Sequence, residues 1–115
     1  MTFDNPLFTI PALTGLIFIL VGIIMRKFPP KNINGIYGYR TPSAMQSKER
    51  WDFAQTYSAK EIIRLGSLLA LSGLIGLVYH PEENISLILG MGLMTLAVIL
   101  LIVNIEKAIK DKFGK

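Results

Sequence analysis

Residues 7–25 read LFTIPALTGLIFILVGIIM, 19 positions without a charge, and the run stops at Arg26-Lys27. About 20 residues rising 1.5 Å each cross a hydrocarbon core of about 30 Å, so this stretch is the length of a membrane span. A second uncharged run covers 15 positions from Leu65 to Tyr79. Ile62 and Ile63 extend it, because Arg64 sits near enough to the end to lift its guanidinium into the headgroups while its stem stays in lipid. The third run, Ile85 to Ile105, gives 21 positions. Only His80-Pro81-Glu82-Glu83-Asn84 separates the last two runs, which must therefore form a tight antiparallel hairpin.

The fold class expected is all-α: a polytopic membrane protein with three transmembrane helices, spans at about 7–25, 62–79 and 85–105. A loop over 26–61, carrying an amphipathic helix, joins the first two spans, and residues 1–115 make a single membrane domain. Composition agrees. Of the chain 51% is apolar and 17% charged, against roughly 25% charged in an ordinary globular chain. The alternative, a soluble bundle of three very apolar helices, fits span-length runs poorly. A cleaved leader is also disfavoured, since Met1 to Pro6 carries no basic residue and the apolar run exceeds the usual ~7–15.

The twelve Lys and Arg residues sort cleanly. Arg26, Lys27, Lys31, Arg40, Lys48, Arg50, Lys60 and Arg64 lie between the first two spans, and Lys107, Lys110, Lys112 and Lys115 lie in the tail. The head and the HPEEN turn have none. Basic residues near span ends are retained on the cytoplasmic side, so the expected topology puts the amino terminus and the turn outside, and the long loop and the carboxyl terminus in the cytosol. The net charge of +4 is thus read as topology, with no nucleic-acid partner. The loop and tail should attract anionic lipid at about 1 kcal/mol per basic residue.

Chemistry is bounded tightly. Without a single Cys there is no disulfide, thiolate nucleophile, iron–sulfur cluster or Cys-based zinc site. No cofactor, metal or catalytic group is called for. His80, Glu82 and Glu83 crowd one turn and Glu49 and Asp52 lie three apart, patterns that a polar turn and a solvated helix face also produce. Ionisable residues facing a bundle interior mark ion and proton paths, and neither 7–25 nor the later spans hold one at depth. Asn104 is the strongest polar group in a span and lies near its end. Gly15 and Gly22, the group Gly66, Ala70, Ser72, Gly73 and Gly76, and Gly90 with Gly92 are read as packing seams, because small residues let helices approach in lipid. Pro11 either kinks the first span or marks its start.

The loop is longer than a connection needs. Pro29-Pro30 prevent the first helix from continuing, and Asn34-Gly35-Ile36-Tyr37-Gly38-Tyr39-Arg40-Thr41-Pro42 dictates a tightly turned segment, with Gly35 and Gly38 free to take positive φ. Ser43 followed by Gln46 fits a capping box. No proline interrupts Ala44 to Tyr79, so one bent helix or two consecutive ones can run along the membrane surface and enter the second span. Trp51, Ala54 and Ser58 share a face, Phe53 and Tyr57 an adjoining one, and Lys48, Glu49, Asp52, Lys60 and Glu61 supply the polar remainder. Trp51, Phe53 and Tyr57 would then sit at headgroup depth, either as a plain anchor or as part of a folded cap under the bundle.

Asn34-Gly35, the Gly38-Tyr39-Arg40-Thr41 tetrad, Met45, Ser47, Trp51 and Ala54 together resemble the signature of the SdpI family of bacterial membrane proteins, over about residues 29–66. Longer members carry extra helices ahead of this module and often a His four residues after the Trp, where this chain has Gln55. The resemblance implies a bacterial plasma-membrane protein of immunity type, protecting against a secreted membrane-active toxin or peptide, and in some members signalling by capturing a repressor at the membrane. It nominates Asn34, Gly35, Gly38, Tyr39, Arg40, Thr41, Ser47 and Trp51 as the ligand or partner site.

Read on its own chemistry, Arg40 is held by a stiff backbone and suits bidentate contact with a carboxylate or lipid phosphate. It could equally pair inside the cap with Glu49, Asp52 or carbonyls at a span end. The function expected is therefore non-enzymatic: an immunity-type interaction protein whose partners are membrane lipids and a peptide toxin or regulator, with a homo-oligomer possible. The alternative is a small oligomeric transporter or channel.

Overall fold

The computed structural model describes residues 5–114. The head residues Met1 to Asp4 and the basic Lys115, which entered the topology reading, lie outside them. Among the described residues there are four helices and no strand: α1 Pro6–Lys27, α2 Lys48–Ser72, α3 Ile75–Val78 and α4 Glu83–Phe113. Three of these units, α1, α2 with α3, and α4, are long and apolar enough to cross a membrane. They form an elongated body of 49 × 27 × 20 Å.

Each boundary has a local cause. Asn5 caps α1 by accepting from the Leu7 N–H at 3.1 Å, and its amide donates to the Gly76 and Tyr79 carbonyls, fastening the start of α1 to the end of α3. Pro11 lies buried inside an unbroken α1. In the second span α-geometry tightens after Ser72: Leu74 bonds Leu71, Gly76 bonds Gly73 and Leu77 bonds Leu74, three residues back. The hairpin turns through His80 and Pro81, and Ser86 Oγ returns a bond to the Pro81 carbonyl at 3.1 Å.

The spans present large apolar side chains outward, with Ile17 57%, Ile88 68% and Val103 53% exposed. Inside run small residues. The buried stripe of α1 is Leu7, Pro11, Gly15, Gly22 and Met25. A Cβ on Gly15 would stand 2.5 Å from the Gly66 carbonyl oxygen, and one on Gly66 would stand 2.6 Å from Phe18 Cβ, so α1 and α2 meet backbone to backbone. Gly22, Gly73, Gly76 and Gly90 also face neighbouring helices, whereas Gly92 faces open space and belongs to no seam.

Bulky packing is concentrated at one end. Trp51, Ile105 and Ile109 are among the largest fully buried side chains, and Ala44, Ala54, Ile105 and Ile109 form a core flanked by Tyr39, Phe53, Tyr57, Leu101 and Phe113. The hydrophobic effect needs water to act against, and here the chain builds a core like that of a soluble domain.

Several local expectations are corrected. The amphipathic segment and the second span are one continuous helix, started by Ser47, whose Oγ accepts from the Arg50 N–H at 3.2 Å, and not by Ser43. Ser43 lies in the preceding turn with its hydroxyl engaged elsewhere. Trp51 is fully buried within the protein, so its ring is not presented to headgroups as an anchor. Glu61, read as part of a solvated face, is 7% exposed. Finally, α4 runs two turns beyond residue 105, carrying the basic tail as helix.

Candidate functional site

The nominated loop folds as a cap, residues 28–47, on the end of the bundle where α1 stops and α2 starts. It opens with an Asn-centred turn: Asn34 Oδ1 accepts from the Ile36 and Tyr37 N–H groups at 2.8 and 2.7 Å, while its amide donates to the Asn32 carbonyl at 2.9 Å. Tyr37 then donates its hydroxyl to the Phe28 carbonyl at 2.6 Å, covering an orphan acceptor at the end of α1.

Gly38 has φ 106°, and a Cβ there would lie 2.6 Å from Gln55 Oε1 and 2.7 Å from Pro30 Cγ. Both conformation and space therefore require glycine. Gly35, by contrast, has no positive φ and points into open space, so its expected left-handed turn is not formed. The close approach at Gly38 lets Gln55 clamp the next residue. Tyr39 N–H donates to Gln55 Oε1 and Gln55 Nε2 donates to the Tyr39 carbonyl, both at 2.7 Å. A Trp bond parallels it, with Trp51 Nε1 donating to the Pro30 carbonyl at 2.7 Å.

The centre of the cap is a carboxylate that sequence reading missed. Glu106 accepts three hydroxyl bonds: Oε2 from Tyr39 at 2.5 Å and Thr41 at 2.7 Å, and Oε1 from Ser43 at 2.6 Å. An ionised carboxylate is an acceptor on both oxygens and needs such donors when it leaves water. Burial, and beside it the Glu106 carboxylate, push the Tyr39 phenol above its ordinary value, so it remains a donor. Arg50, 8% exposed, stacks its guanidinium 5.4 Å from the Phe113 ring centre beneath the same cluster.

A second missed carboxylate lies one layer deeper. Glu61 accepts from Arg64 Nε and Nη2 at 3.0 and 2.6 Å and from Asn104 Nδ2 at 2.6 Å, tying α2 to α4. Asn104 is thus an interhelical donor and more than a group at an interface. An acid at the very end of an apolar run, ahead of a lysine-rich flank, as Glu106 is, and an acid three residues before an Arg, as Glu61 is, were the available signals.

The nominated residues consequently separate. Gly38, Tyr39 and Thr41 converge with Gln55 and Glu106, and Trp51 closes the cap against Pro30. Ser47 is a helix cap. Asn34, Gly35 and Arg40 make the outer turn, where exposed Arg40 donates from Nη1 to the Gly35 carbonyl at 2.7 Å. Neither carboxylate proposed for it is its partner, and Asp52 instead holds Lys48 at 2.8 Å.

Three apolar spans with a hydrogen-bonded cap sealed onto one end define a small polytopic helical membrane protein. The profile of the SdpI/YfhL protein family matches residues 31–105, from the cap to the end of the third span. The chain belongs to that family. It is 40% identical over 94 residues, 78% of this chain and 74% of the relative, to a Bacillus subtilis (strain 168) protein named uncharacterized protein YfhL. No solved structure gives a significant match.

Proposed function

We propose that this protein is an immunity-type component of the bacterial plasma membrane, with the cap in the cytosol, protecting the cell against a secreted membrane-active toxin or peptide. One observation carries the reading: the cap is cross-linked internally while its outer turn holds a cation, Arg40, bonded to the carbonyl of Gly35, next in sequence to an apolar residue, Ile36, that is 90% exposed. A cation so held, with an exposed apolar group on the same turn, suits an amphipathic or acidic peptide, because little ordering entropy is lost on contact. The distribution of Lys and Arg supports the orientation. The function involves no chemical step.

The test is expression in a sensitive bacterium followed by challenge with membrane-active peptides. Survival should rise, and Arg40→Gln or Ile36→Ser at equal abundance should abolish the gain. Unchanged killing across several peptides counts against the proposal. A second reading, a small oligomeric transporter, draws support from Glu61 buried between α2 and α4. Flux into liposomes holding the purified protein tests it, and a flat trace removes it.

A further inference from the structure

Beside the cap, and separate from its outer turn, a groove runs between the end of α1 and the middle of α2. Its upper part, about 170 Å³, is lined by Arg26, Pro29, Thr56 and Lys60 among others. A contiguous part of about 340 Å³ shares Arg26 and continues past Lys27 to Ile23 and Ile63, within the spans. The groove therefore passes from a cationic mouth to an apolar floor over roughly one helical turn.

Among the described residues the side chains of Arg26, Lys27 and Lys60 form no ion pair or hydrogen bond. The nearest acids on α2 are committed elsewhere, Asp52 to Lys48 and Glu61 to Arg64 and Asn104. The end of α1 contributes about half a negative charge, too little for three cations, and Tyr37 and Trp51 already occupy carbonyls beyond it. All three side chains are exposed, so the mouth offers uncompensated positive charge to an anionic ligand. A soluble anion would engage the mouth alone and make no contact with Ile23 and Ile63. A molecule with an anionic head and a hydrocarbon tail matches both.

We infer that this groove is a binding site for an anionic phospholipid, with the phosphate between Arg26, Lys27 and Lys60 and an acyl chain along Ile23 and Ile63. The inference does not depend on the immunity reading.

Native mass spectrometry of the full-length protein in detergent tests it, using phosphatidylglycerol and phosphatidylcholine with identical acyl chains. Phosphatidylglycerol should be retained preferentially. Affinity should fall about fivefold for each cation neutralised in the R26Q/K27Q/K60Q variant, and should fall far less when Lys107, Lys110 and Lys112, which lie outside the groove, are neutralised instead. Ile23→Ser should weaken retention with every charge in place, and inorganic phosphate should not displace the lipid. Equal retention of the two lipids, equal loss in the α4 variant, indifference to Ile23→Ser or displacement by phosphate each overturn the proposal. If circular dichroism shows the triple variant unfolded, Lys60→Gln alone carries the comparison, since Lys60 is exposed.

Discussion

Glu106 joins the cap to the last helix, because three hydroxyls from three positions of the loop end on its one carboxylate. Replacing it with Gln keeps the shape but turns one acceptor oxygen into a donor facing hydroxyl donors. We expect a loss of about 1–3 kcal/mol, read by thermal unfolding in detergent. Trp51, the sole Trp, should shift its emission to the red as the cap loosens. Gly38→Ala should cost a similar amount, through its φ and its contact with Gln55, whereas Gly35→Ala should lie within about 0.5 kcal/mol. Tyr39 adds a pH dependence. Its raised phenol value favours the folded state fully below the ordinary value of about 10, and that contribution is lost as pH rises through the folded value. In an alkaline titration of phenolate absorbance the last component should vanish in Tyr39→Phe.

At the scale of helices, the α1–α2 contact depends on two absent side chains. Gly15→Leu or Gly66→Leu inserts a side chain where a Cβ already meets backbone, so the pair must separate. Overpacking of this kind costs about 1–3 kcal/mol or more, while Gly92→Leu, facing open space, should leave melting temperature unchanged. The apolar runs were legible in the sequence because span length and composition are local properties. The start of α2 was misplaced because Ser43-x-x-Gln46 fits the capping-box pattern and Ser47-x-x-Arg50 does not, yet the Ser43 hydroxyl is taken by Glu106 and Ser47 caps the helix by its side chain alone. Glu106 lies 65 residues from Thr41 and Glu61 lies 43 from Asn104. No periodicity encodes pairings at that range, so the nominated loop was found while the carboxylates that organise it were not.

For the molecule as a whole, two packing regimes sit end to end: small residues between the spans and a bulky core beneath the cap. The proposed orientation predicts that a thiol introduced at Lys31 in this Cys-free chain resists an impermeant reagent in intact cells and reacts after lysis, while one at Glu82 reacts in both. Labelling at position 31 in intact cells would reverse the topology and with it the immunity reading.

Reliance of the cap on an acid from the last helix also sets an order of assembly. A ribosome completes the loop long before it reaches residue 106, so the nascent loop waits with Tyr39, Thr41 and Ser43 lacking their shared acceptor. Prematurely terminated copies would leave that loop ajar, an accessible substrate for the proteases that clear unfinished membrane proteins.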